Sequence, residues 1–203
     1  ESVTRLLLQA VNQSNSYYAE AYAMLSMSLR RRYAAEVESE AIGQAEYYLC
    51  RIPNDASRMQ PCHTVALAHA FVGDFDRARV TAEEALRIAM RIGARRIHFP
   101  AAVLLSELAY LRNSPDELGF YLDEAARGVA EFPYLNRQDL ALYYYLQSET
   151  TSGPDGRRHL ERARTLIDEE CRALASPDLC GWFLGTRSFG SIDPERESGR
   201  RAG

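Results

Sequence analysis

Apolar residues recur at three-and-four spacing along most of the chain, as in Leu25 and Leu29 or Leu104, Leu105, Leu108 and Leu111, and strict alternation persists nowhere. That period is the helical one, so an all-α fold is expected. Punctuation between the periodic segments sharpens the reading. At Ser114-Pro115-Asp116-Glu117, Ser114 suits an N-cap, Pro115 the first helical position where no donor is needed, and the two carboxylates the positive end of the helix dipole. Similar starts fall near Asn15-Ser16, Asn54-Asp55, Asn136, Gly153-Pro154-Asp155 and Ser176-Pro177-Asp178, while Gly73 and Gly93 read as left-handed helix stops. The predicted helices cover residues 3–13, 16–32, 36–52, 57–72, 74–92, 98–112, 115–131, 136–150 and 154–174, with a short one near 178–184.

Related hairpins follow one another. The clearest joins Val65–Val72 to Ala78–Met90 through Gly73-Asp74-Phe75-Asp76-Arg77, with Ala78, Ala82 and Ala85 at helical spacing after it. Before it, Tyr22, Leu25, Ser26 and Leu29 pair with Ala41, Ala45 and Pro53. After it come Ala102, Leu105, Ser106 and Ala109 with Leu118, Leu122 and Ala125, then Leu140, Tyr143 and Tyr144 with Leu160 and Ala163. These positions resemble the tetratricopeptide repeat family, in which small residues let two helices approach closely and large ones fill the gap between neighbouring hairpins. The equivalent positions Ala41, Ala78, Leu118 and Gly156 lie farther apart than the roughly 34 residues typical of that family, so longer helices or turns are implied.

The resemblance implies a right-handed superhelix of antiparallel helical hairpins, a TPR-like α-solenoid of about four hairpins plus capping helices. One domain over residues 1–187 is expected, with Trp182 and Phe183 capping the last hairpin, followed by a polar tail over 188–203. It also implies a concave groove lined by first-helix residues, here including Ala23, Met27, Arg30, Gln60, His63, Leu67, Ala70, Val103, Glu107, Tyr110, Gln138, Ala141, Tyr145 and Ser148. Met27, Arg30, His63, Leu67, Glu107, Tyr110 and Tyr145 are the residues expected to meet a partner. Met27, Leu67, Tyr110 and Tyr145 suit an amphipathic helix or extended apolar segment, because Met and Tyr combine adaptable contact area with a polar option. His63 and Glu107 are the polar readers of a ligand. The family's carboxylate-clamp groove needs cations where Ala23, Met27, Gln60 and Val103 stand, so a groove of another type is implied.

Composition narrows the chemistry. All 24 positively charged residues are arginine. A phosphate-cradling loop that ends in Lys, a Schiff-base amine and a kinase-type nucleotide lysine are therefore excluded. No Ser-His-Asp, Cys-His, Gly-rich phosphate or metal-ligand spacing stands out, so no catalytic residue, cofactor or metal is assigned, and the chain reads as non-catalytic. The net charge of −4 gives no general attraction to phosphate backbones, and Arg30-Arg31-Arg32 and Arg95-Arg96 fit helix ends better than a nucleic-acid surface. No apolar run is long enough to span a membrane. Cys50, Cys62, Cys171 and Cys180 form no C-x-x-C pair and read as free, mostly buried thiols of a cytoplasmic protein.

The functional expectation is a protein- or peptide-binding scaffold. The alternative is a ligand-sensing or regulatory module of a larger transcription or signalling protein, a reading prompted by the missing initial Met and the lack of any effector motif.

Overall fold

The computed structural model describes residues 15–29, 35–129 and 136–173, and all regular structure in them is α-helical. In chain order the helices are α1 (Asn15–Leu29), α2 (Ala35–Leu49), α3 (Asp55–Val72), α4 (Phe75–Ile92), α5 (Arg95–Leu111), α6 (Pro115–Val129), α7 (Arg137–Thr150) and α8 (Gly153–Ala173). The expected helices over 3–13 and 178–184, the tail over 188–203, Trp182, Phe183 and the Arg30-Arg31-Arg32 run lie outside the described residues.

Boundaries follow the chemistry of the caps. The Asn54 side chain accepts the Ser57 backbone N–H at 2.8 Å, and Asp74 does the same for Arg77 at 3.2 Å. Gly73 and Gly93 take left-handed φ values of 86° and 68°, and their turns close when the amides of Asp74 and Ala94 reach back to the carbonyls of His69 and Ala89. Asn136 caps α7 through Gln138 at 3.0 Å.

The chain divides into two compact units, Glu1–Ile97 and His98–Gly203, with the division in the first turn of α5. In the first unit, α1 and α2 form an antiparallel hairpin. Asn15, at the start of α1, donates to the Arg51 carbonyl just beyond α2, and Tyr48 of α2 stacks on Tyr18 and Tyr22 of α1 with centroids 4.6 and 5.8 Å away. The hairpin of α3 and α4 is close-packed because Ala78, Ala82 and Ala85 present no bulk to Val65, Ala66 and Ala68, all six fully buried. α1 and α3 run in the same direction. A proline supplies part of the reason: Pro61 has no N–H for the carbonyl four residues back, Ser57, and that carbonyl accepts Ser16 Oγ from α1 at 3.2 Å instead.

In the second unit, Phe99 near the start of α5 packs against Gly128 near the end of α6, where an added Cβ would come within 2.9 Å of the Phe99 side chain. Gln138 at the start of α7 donates to Glu170 near the end of α8 at 3.2 Å, which makes those helices antiparallel. Phe99, Leu104, Leu105, Leu108, Leu142, Leu146 and Ile167 form the core. The Tyr143-Tyr144-Tyr145 run fans out around α7. Tyr143 meets Phe99 edge-on, Tyr144 stacks on His159 of α8, and Tyr145 faces Tyr110 of α5.

One sequence expectation is corrected. Cys171 is disulfide-bonded, whereas Cys50 and Cys62 are free. Thiol spacing along a chain reveals metal and redox motifs, but disulfide formation depends on which cysteines the fold brings within reach. No helix among the described residues is long and apolar enough to cross a membrane.

Candidate functional site

The residues expected to meet a partner fall on the first helices of the hairpins. In the first unit, Met27 of α1 and Leu67 of α3 are half-buried, His63 of α3 is buried, and Arg30 lies outside the described residues. Ala23, read as lining the groove, is fully buried and offers no surface. In the second unit, Glu107 and Tyr145 are buried and Tyr110 is half-buried, while Val103 and Ala141 are fully buried like Ala23. Repeat register finds the helix but not the depth: one helical position faces a neighbouring helix or solvent according to how closely the next helix packs.

Two of these residues, 35 positions apart, come together. Tyr110 in the last turn of α5 and Tyr145 of α7 have hydroxyl oxygens 3.2 Å apart, and their rings meet edge-to-face with centroids 6.0 Å apart. The Tyr110 hydroxyl also donates to Glu149 Oε2 at 3.1 Å. Ser148 Oγ donates to the Tyr145 carbonyl at 2.6 Å and turns its polar end back onto α7. The result is a phenol, phenol and carboxylate cluster with Tyr145 inside, Tyr110 at the surface and Glu149 in solvent. Such a cluster can present aromatic area, a hydroxyl and a negative charge to a partner. Glu149 was not foreseen, because it lies one position past the repeat register that selects Ser148.

The remaining polar clusters join helices. Glu46 of α2 lies between His69 Nε2 at 3.0 Å and Arg77 Nη1 at 3.2 Å, and so ties the first hairpin to both helices of the second. Burial holds the His69 imidazole below its ordinary range, against the opposing pull of the Glu46 carboxylate. Arg58 of α3 grips Glu84 of α4 with two contacts, Nε to Oε1 at 2.9 Å and Nη2 to Oε2 at 3.3 Å. Burial is the largest influence and opposes the Arg58 charge, but Glu84 and Cys62 together outweigh it and the guanidinium ionisation is raised. Burial, reinforced by Glu84, pushes the neighbouring Cys62 thiol up to about 12, so this cysteine is chemically inert at neutral pH. In the second unit, buried Glu124 of α6 takes His98 Nε2 of α5 at 3.2 Å and also pairs with Arg127.

No three His, Cys, Asp or Glu side chains among the described residues are gathered as a metal ion would need. Comparison with known proteins finds no family model, no curated protein and no solved structure that matches this chain.

Proposed function

We propose that the chain is a non-catalytic protein- or peptide-binding scaffold of TPR-like hairpins, which receives a partner segment on the faces of its first helices and is not of the carboxylate-clamp type. The observation that carries this reading is the meeting of Tyr110 and Tyr145, hydroxyls 3.2 Å apart, on α5 and α7. Both stand at first-helix positions of the repeat register, and Tyr110 keeps part of its surface in solvent. Partly exposed tyrosines provide large contact area with little conformational freedom to lose, the property that makes them anchors at interfaces. Ala23, Met27, Gln60 and Val103 supply none of the cations that a terminal carboxylate requires.

The test is a partner-binding comparison in which Tyr110→Ala removes the surface ring and Tyr145→Phe keeps the buried ring but removes its hydroxyl. Tyr110→Ala should weaken binding by about tenfold or more, the loss expected of an interface anchor, with the thermal transition little changed. Undiminished binding by a folded Tyr110→Ala chain would assign the partner to another face.

A further inference from the structure

In the second unit the C-terminal ends of α5 and α7 lie side by side, since Tyr110 reaches across to Tyr145 and Glu149. Two helix C-termini concentrate partial negative charge at one place. Glu149 adds a full negative charge there, one residue before the end of α7, and neither helix has a basic residue in its last turn. A cation would be favoured at this position, yet the carboxylate is held by the neutral Tyr110 phenol at 3.1 Å. Among the charges on the adjoining turns, Arg112 follows α5, Asp116 and Glu117 open α6, and Asp155, Arg157 and Arg158 open α8. Arg158 is itself paired with Asp155 at 3.3 Å. The exposed carboxylate beside a half-exposed tyrosine is thus an electrostatic mismatch in the free chain, one that an incoming cation would relieve.

We propose that Glu149 and Tyr110 form a subsite for an arginine side chain of the bound partner, an inference that rests on the reading of the chain as a binding scaffold. Complementarity of charge and shape selects the occupant. A guanidinium is flat and weakly hydrated, presents donors in a fork that fits a carboxylate, and lies against aromatic carbon, whereas an ammonium is a compact, strongly hydrated point charge. The partner segment therefore carries arginine where it crosses the ends of α5 and α7.

The experiment titrates the full chain with acetyl-Ala-Leu-Arg-Leu-Ala-amide and with the same peptide carrying citrulline, arginine's uncharged isostere, while amide NMR shifts at residues 107–113 and 145–151 are followed. The arginine peptide should perturb those residues and bind about fivefold more tightly than the citrulline peptide, the upper end for an exposed ion pair. The advantage should vanish in Glu149→Gln and at high salt. Equal binding of the two peptides by the wild-type chain, or an advantage that survives Glu149→Gln, overturns the arginine subsite. If both peptides then still perturb Tyr110, the scaffold reading stands without it; if neither peptide binds and Tyr110→Ala also leaves binding of a partner protein intact, the partner belongs to another face, and the arginine subsite and the first-helix groove fall together.

Discussion

Gly156 sits in the first turn of α8 and is buried against the end of α7, where a Cβ would lie 2.1 Å from the Thr151 carbonyl oxygen. That oxygen is backbone and cannot swing aside, so Gly156→Ala must move one helix end relative to the other. The expected cost is about 2 kcal/mol or more, at the level of overpacking a core, measured by urea denaturation. Gly119 in α6 provides the contrast, because nothing lies within 4 Å of the Cβ it lacks. Gly119→Ala should stabilise the chain by about 0.5–1 kcal/mol, since alanine has less backbone freedom to lose in a helix. Thiol reactivity separates other residues. Cys50 is exposed, Cys62 is buried with its ionisation pushed up to about 12, and Cys171 is already oxidised. Alkylation of the folded chain near neutral pH should modify Cys50 quickly and Cys62 only on unfolding, and Cys171 should react in denaturant only after a reductant is added.

At the scale of elements, His69 links stability to pH. Burial lowers its folded ionisation below the ordinary value of 6.5, while Glu46 works in the opposite direction. Because the unfolded chain binds the proton more readily, the contribution of neutral His69 is present above that ordinary value and is lost as pH falls below it towards the folded one. Glu20 of α1 opposes this, since burial raises its carboxyl and folding favours its protonated form in acid. Denaturation curves from pH 8 to pH 5.5 should therefore show a stability loss that flattens in His69→Gln, whose amide does not titrate in that range; a slope unchanged by the substitution would place the acid sensitivity elsewhere.

The same helices show what sequence reading reaches. Helix starts at Asn54 and Asn136 and stops at Gly73 and Gly93 were legible because cap chemistry is local and repeats wherever a helix ends. The Arg58–Glu84 pair, the Glu46–His69–Arg77 link and the bond from Glu149 to Tyr110 were not, because each depends on which faces of separate helices are turned together. Of the candidate site, register put Tyr110 and Tyr145 at first-helix positions without foreseeing their contact, and it placed Ala23, Val103 and Ala141 on a surface when packing takes them fully inside.

At the scale of the molecule, the two units have cores of different grain. Of the ten largest fully buried side chains among the described residues, seven belong to the second unit: Phe99, Leu104, Leu105, Leu108, Leu142, Leu146 and Ile167. Among the described residues the first unit supplies Ile88, Val65 and the imidazole of His69, and most of its other fully buried side chains are alanines, with Ile42, Leu49, Ile52, Leu86 and Ile97 buried slightly less completely. Alanines allow close helix approach, but each removes little apolar surface from water, at about 25 cal/mol per Å². A buried imidazole adds a polar group whose desolvation must be offset by Glu46. Local opening should therefore begin in the first unit. In native-state hydrogen exchange along a urea series, amides of α3 and α4 should exchange through a partial opening at low denaturant, while those of the cores of α5 and α7 persist until the whole chain unfolds. Replacing His69 with phenylalanine would remove the polar burden and narrow that gap if the packing volume is retained, and a single common exchange free energy for α3, α4, α5 and α7 in the wild-type chain would contradict the difference in core composition as its cause.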